Sequence, residues 1–375
     1  MSTVHLFQPD SRRQAMHRLP ALLGMVTGCL MLAAVPAMAQ EQTPQQANLN
    51  TTTDGTPEEI HTVAWPVISL ALQDRNASEN LSQSGVLNDA WAMSEYAVGS
   101  VSDARLSREE RIAHNEANFQ KFIDMPTTEI QQSLDRYMKA FPQLSRKTTR
   151  TIIIDIESPT QPRYFYKLLG GPDHDKITPE FTGIVKAFAR RYAVVREAFP
   201  NAKLSVFSMG SPGVTVEMSK TDKASLNAEI MAARMGMLQD VDAISPELYE
   251  RYGPKDALFN SRLALTRQSL ERSVQIVQAS GQPLDIIVLL SLTVFNAEGH
   301  SSLAGKPADL QGLAERLAYL ASLGIRRVVF WNGDNTLENT QITVGRRLAQ
   351  LRTVEKVDQR SPSTPAKPPE DSPGP

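Results

Sequence analysis

Short runs of consecutive apolar residues constrain this chain more than anything else in it. A strand with one wet face alternates apolar and polar side chains, so a run without alternation has to be covered on both faces. Such runs stand at TIIIDIE (151–157), KLSVFSM (203–209), LDIIVLLSLTVF (284–295) and RRVVFW (326–331), with VISLAL (67–72) and the shorter VDAISPELY (241–249) beside them. Between them lie longer stretches with apolar residues at helical spacing. In 179–199 these are Ile184, Phe188, Tyr192 and Val195, with Thr178 placed to cap and Pro179 in the first turn. Residues 261–280 and 308–324 read the same way and stop at Gly281 and Gly324. Doubly buried strands alternating with helices mean a parallel sheet with helices packed on it. The sequence therefore predicts an α/β fold, a (β/α) TIM-like barrel that is complete or irregular, with an open doubly wound parallel sheet as the alternative. Residues 74–150 are polar and helix-prone, and a complete barrel needs a strand hidden there. No glycine-rich phosphate loop follows any strand, which argues against dinucleotide binding.

The two ends of the chain read differently. Arg12, Arg13 and Arg18 precede an apolar run from Leu19 to Val35, and Ala37-Met38-Ala39 follows before Gln40. That order is the one a secretory signal peptide takes, so residues 1–39 are expected to be removed. The run is short for a spanning helix and carries Pro20, Gly24 and Gly28. No stable membrane insertion is expected after cleavage. A lipoprotein anchored through Cys29 is the alternative. Residues 40–57 read as a flexible leader, 58–354 as the barrel domain with a helical N-terminal part, and 355–375, rich in proline, as an extended disordered tail. Cleavage removes the single cysteine, leaving no disulfide framework and no thiol nucleophile. An exported chain that folds without disulfides points to a bacterial periplasm or secretion. Losing three arginines and Asp10 moves the formal charge from −2 to −4, which gives nucleic acid no reason to bind.

Chemistry concentrates at strand ends. Asp155 and Glu157 close the most apolar strand, two residues apart and so on one face. In a parallel barrel the carboxyl ends of the strands surround the active site. Two carboxylates sharing a cavity there repel each other, and one keeps its proton. A neutral acid beside an anion is what glycosidic cleavage uses. The bland alternative is a loop cap and a solvated glutamate. Tyr249, with Tyr252 beyond it, follows the strand at 241–249, and Trp331 ends the strand at 326–331. Their rings suit stacking on a sugar, although single aromatics more often fill cores. Glu247 and Asp334 are possible auxiliary carboxylates or plain loop residues.

TIIIDIESPTQP resembles the hyaluronidase signature, an apolar strand ending in Asp-x-Glu with a proline close behind. ISPELYERYG resembles that family's strand ending in an aromatic and Tyr, SRLALTRQSLERSVQI its Arg-rich helix, and LGIRRVVFWNGDN its closing strand; together they span about 150–335 in the right order. Chitinases share the Asp-x-Glu and the final Trp more distantly. The resemblance implies a glycoside hydrolase cleaving a 2-acetamido-sugar glycan by substrate-assisted retaining hydrolysis. Glu157 would be the acid/base and Asp155 would orient the acetamido group. Tyr249 would help hold that group, Trp331 would close the pocket, and Tyr252 and Glu247 would complete the substrate-binding set. The partner implied is a polysaccharide containing N-acetylhexosamine. This chain departs from the family in having Ile156 between the acids, no disulfides, and Trp-Asn-Gly in place of Trp-Gly.

Other sites are weaker. His61, His114, His174 and His300 fall in no metal spacing, so no metal and no cofactor is expected. GGPDHDK (170–176) reads as a solvated loop, and FSMGSPG is not a nucleophile elbow. The Arg- and Lys-bearing helices read as the solvated outer face. A non-catalytic barrel that binds glycan or a cell-envelope partner stands as the alternative function.

Overall fold

The structure is a computed structural model. It describes residues 66–72, 87–99, 108–142, 144, 150–212, 221–251, 262–294, 306–331, 347 and 350–351. These fall in one compact unit, Thr62–Pro375. In chain order come β1 (Val67–Leu72), β2 (Leu87–Ser94), a 3-10 turn (Glu95–Val98), α1 (Arg108–Asp124), α2 (Thr127–Ala140) and β3 (Thr151–Asp155). A 3-10 stretch (Pro162–Leu168), α3 (Pro179–Ala198), β4 (Lys203–Phe207), α4 (Asp222–Arg234) and β5 (Ala243–Ser245) follow. Last are α5 (Arg262–Ser280), β6 (Asp285–Ile286), β7 (Val288–Leu290), α6 (Leu310–Ser322) and β8 (Arg327–Phe330).

Every strand pairing is parallel, in the order β6-β5-β4-β3-β2-β1-β8-β7. The two ends of that order are successive pieces of one segment, interrupted only at Ile287. β6 pairs with β5, and β7 pairs with β8. Beyond β5, Glu247 also bridges Leu289. Residues 285–290 thus touch both edges of the sheet, which among the described residues has seven strand positions. The α/β barrel reading holds, in its irregular form.

The alternation along the strands sorts side chains to two sides. Ile152, Ile154, Leu204, Val206, Ile244, Val288, Leu290, Val328 and Phe330 face outward into a core shared with Phe181, Phe188, Val195, Leu313 and Leu317 of the helices. Ala90, Ala92, Ile153, Phe207, Ala243, Ile287, Leu289 and Val329 face the interior. Three alanines on that inner side alternate with larger residues such as Phe207 and Leu289, which fill the narrow interior. Ser205 and Ser245 share a hydrogen bond of 2.6 Å within it.

One open point is settled and two expectations need correction. The polar region 74–150 does hide a strand, β2. Its polar residue Asp89 takes an ion pair with Arg327 at 2.9 Å, while Trp91 is fully buried and donates to Tyr137 Oη at 3.1 Å. The long run 284–295 is not one strand. It leaves the ladder after Leu290, where Ser291 Oγ donates to the Thr293 carbonyl and accepts from the Glu250 N–H. The arginines of the helices are not all on a wet face. Arg191, Arg272, Arg316 and Arg262 are buried. Arg191 donates to the carbonyls of Val98, Phe122 and Ala187 at 3.0 Å each. Thr178 caps α3 as expected, accepting from the Phe181 N–H at 3.0 Å.

Candidate active site

β3 delivers its apolar residues to both cores and then runs out of sheet at Asp155. Ile153 faces the interior, so alternation brings Asp155 to the same side at the carboxyl end. Ile156 turns back into the outer core, and Glu157 emerges beyond the strand with its side chain exposed. Asp155 Oδ1 is enclosed and has no hydrogen-bond partner among the described residues. The neighbouring strand places Ser94 in register with Asp155, and Ser94 Oγ is likewise enclosed without a partner.

Two further carboxylates converge on the pair. Glu95, immediately after β2, accepts from the Glu157 N–H at 2.9 Å and the Ser158 N–H at 2.6 Å through one oxygen, Oε2. Glu247, beyond β5, is held between Arg163 at 2.9 Å and Arg251. Its own N–H donates to Ser211 Oγ at 2.7 Å. The electrostatic result is a strong bias toward protonation. Burial pushes Asp155 well above the usual carboxylate range, and the charges of Glu157, Glu95 and Glu247 push it further. Burial of the carboxyl, then Glu247 and Glu95, push Glu157 up to about 7, against a downward pull from Arg163. Glu157 as a residue remains exposed, so water screens part of these fields. The Tyr249 phenol is driven well above its ordinary value by burial and by Glu247, Asp155 and Glu157, and it stays a neutral donor.

The rings sit on the inner side. Trp331, the first residue after β8, stacks obliquely on Phe207 with centroids 5.1 Å apart, and Tyr249 joins the same cluster. Asp155, Glu157, Glu247, Tyr249 and Trp331 all belong to the carboxyl-end side of the sheet. Tyr252 and Asp334 lie outside the described residues. A small cleft beside this site is walled by Pro212, Glu247, Tyr249, Arg251, Arg262 and Arg316 among others, and neither Asp155 nor Glu157 lines it.

Behind the site, arginines hold the strand-end loops in place. Arg163 donates to Ser208 Oγ, from Nε at 3.1 Å and also from Nη2, where Ser208 takes a left-handed φ of 63°. Glu229 accepts from the Gly210 N–H at 3.1 Å and pairs with Arg272 at 2.9 Å. Arg316 donates to the Leu248 carbonyl at 2.8 Å. Glu95, Arg163 and Ser94 were not among the residues expected from sequence. Ser94 ends β2, whose composition hid it, Glu95 follows in the 3-10 turn, and Arg163 lies in the 3-10 stretch after Pro162, where no motif marks it.

No protein-family model matches the chain, and no curated protein matches it in sequence. Solved structures do match. Bee venom hyaluronidase in complex with a hyaluronic acid tetramer aligns at a TM-score of 0.50 and 10% identity, over 77% of this chain and 96% of that one. A monoclinic crystal structure of the same enzyme aligns at 0.50 and 10%, over 75% and 99%. A chitinase from Rhizomucor miehei aligns at 0.38 and 13%, over 76% and 100%. At 10% identity the likeness to bee venom hyaluronidase is one of fold alone. Among the described residues no group of three or more His, Cys, Asp or Glu side chains is arranged to hold a metal, and no helix is long and apolar enough to cross a membrane.

Proposed function

We propose that this protein is a glycoside hydrolase that cleaves a 2-acetamido-sugar glycan with retention, using the substrate's own acetamido oxygen as nucleophile. The observation that carries the reading is the gathering of Asp155 and Glu157 at one strand end with raised proton affinities, beside Tyr249 and Trp331. In the first step protonated Glu157 gives its proton to the glycosidic oxygen as the bond to the anomeric carbon breaks. The acetamido carbonyl oxygen bonds to that carbon from the other side and forms a cyclic oxazolinium. Asp155, whose Oδ1 lacks any protein partner, accepts the acetamido N–H and holds the group in line. In the second step the Glu157 carboxylate takes a proton from water as that water opens the ring. Tyr249 supplies a neutral hydroxyl toward the acetamido group, and Trp331 with Phe207 walls its methyl. An exported protein carrying this site would meet its polysaccharide outside the cytoplasm.

The test is Glu157→Gln, assayed on N-acetylhexosamine oligosaccharides. Hydrolysis should fall by at least about 10³-fold while sugar binding persists, because the lost group acts in the transition state. A thiazoline analogue of the cyclic intermediate should bind far more tightly than the parent sugar. Binding of oligosaccharide by the unmodified protein with no turnover, and no preference for the thiazoline, would leave a glycan-binding barrel and remove the reaction.

A further inference from the structure

Two polar atoms stand side by side at the carboxyl end of the inner face. β2 puts Ala90 and Ala92 on that face and β3 puts Ile153 there. Alternation brings Ser94 and Asp155 to it as well, in register on adjacent strands. Neighbouring strands lie about 5 Å apart, which leaves a serine hydroxyl one side-chain rotation from an aspartate carboxyl. Ser94 Oγ and Asp155 Oδ1 are nevertheless both enclosed and both without a partner among the described residues. Ser94 also precedes the 3-10 turn Glu95–Val98, a position where serine ordinarily caps by accepting from a backbone N–H. Its side chain makes no such bond. Capping therefore does not account for the hydroxyl.

We propose that Ser94 is the positioning residue of Asp155: when the substrate's acetamido group enters, the hydroxyl turns to donate to Oδ1 and fixes the carboxylate as it accepts the acetamido N–H. The inference rests on the reading of Asp155 as the group that orients the acetamido. A carboxylate oxygen accepts two bonds, so Oδ1 takes the serine O–H and the amide N–H together. The charges around Asp155 explain why the bond waits for substrate. Burial, Glu157 beyond β3, Glu95 after β2 and Glu247 after β5 all favour the protonated acid. The Tyr249 phenol, also after β5, faces the same group. A neutral carboxyl is the weaker acceptor. An arriving N–H favours the anion, and a hydroxyl beside the anion then makes a charge-assisted bond, shorter and about twice as strong as a neutral one. Ionised acids have no hydrogen to give Asp155 at that moment, and Ser94 does.

Ser94→Ala removes the hydroxyl, and Ser94→Thr keeps it on a residue suited to a strand. The first readout is the ¹³C titration of the Asp155 carboxyl in aspartate-labelled protein, assigned by its disappearance in Asp155→Asn. The second is affinity for the thiazoline analogue of the cyclic intermediate. Losing a donor to the charged form raises an acid's midpoint, so Ser94→Ala should raise that of Asp155 by about half to one pH unit and weaken thiazoline binding about tenfold. Ser94→Thr should restore both. Thermal melting at about pH 5, where Asp155 holds its proton and the hydroxyl is unbonded, should not be lowered by Ser94→Ala. A midpoint that stays put in Ser94→Ala, or that shifts equally in Ser94→Thr, overturns the inference. So does a lowered melting temperature in Ser94→Ala at that pH, which would mark the serine as structural. The titration needs no turnover. A raised midpoint in a protein that binds no thiazoline would sink the reaction and keep the pair. Tight thiazoline binding left untouched by Ser94→Ala would keep the reaction and remove the pair.

Discussion

Glu247→Ala removes one carboxylate from between two guanidinium groups, and the cost can be worked from the structure. The side chains of Arg163, Glu247 and Arg251 are 9–10% exposed, so none has bulk water to fall back on. At an effective dielectric of about 20, one pair at contact distance is worth roughly 4 kcal/mol gross. Removing one partner of a buried pair costs about 3–5 kcal/mol net, because the stranded charge stays desolvated. Here two arginines lose their shared carboxylate at once. Arg163 keeps Ser208 Oγ as an acceptor, which offsets part of the loss. The expected destabilisation is about 4 kcal/mol, or on the order of 10 °C in melting temperature for a domain of this size. Urea unfolding followed by circular dichroism, with an unchanged m-value, measures it. Glu247→Gln, which keeps one acceptor oxygen, should cost about half as much. A loss below about 1 kcal/mol for the alanine variant would refute the reasoning, since it would mean the arginines reach water and the pairs behave as surface bridges. Glu247 is also the largest charge raising Glu157's proton affinity, so the same variant should move the Glu157 midpoint down.

Three more outcomes follow from the site's electrostatics and its supports. If Glu157 acts as the acid it must be protonated, so kcat/KM should fall as pH rises through about 7, a limb that a carboxyl at its ordinary value of 4.5 would put far lower. The same raised pKa means the folded state holds this proton more tightly than the unfolded chain. Its contribution to stability is therefore full below about 4.5 and lost as pH rises through about 7, about 1 kcal/mol after allowing for water at the mouth, and Glu157→Gln should lose that pH dependence in urea titrations. Arg191→Met leaves the carbonyls of Val98, Phe122 and Ala187 without their donor and relieves a buried cation whose pKa is pushed down to about 9, chiefly by burial. The net should be a loss of about 2–3 kcal/mol, read by urea unfolding, with faster amide exchange confined first to the turn that carries Glu95.

How much of this was readable from the sequence depended on where each strand keeps its polar residues. β3 is apolar on both faces because helices cover one and the interior covers the other, so TIII announces a strand and makes Asp155 conspicuous. β2 hides because its inward residues are alanines and its polar residues crowd the ends, Asp89 at the foot and Ser94 at the top. A strand of that composition looks like a loop until Trp91 is seen buried and Asp89 is seen paired with Arg327. Losing β2 from view cost Glu95 and Ser94 as well. The arginines misled for a different reason. A run such as SRLALTRQSLER looks like a wet helix face, yet Arg272 reaches Glu229, 43 residues before it, and Arg316 reaches Glu250, 66 before it. No periodicity within one helix carries that information.

The distribution of paired and unpaired acids makes the strand end hard to explain as architecture alone. Glu229, Glu247 and Glu250 are buried and each has an arginine, although Glu250 Oε2 is itself enclosed without a partner among the described residues. Glu95 has two backbone amides. Each of these carboxylates has at least one donor, because a buried carboxyl group with none at all is costly. Asp155 breaks the pattern. Its Oδ1 is enclosed and unbonded, its strand neighbour Ser94 offers an equally unbonded hydroxyl, and three more negative groups surround it. A barrel under selection for stability alone would place an asparagine or an alanine at that position. Among the described residues nothing completes those bonds, and on the proposed reading a polar group of the substrate does. A donor such as an amide N–H meets that need at Asp155, whereas a second anion would deepen the repulsion already present.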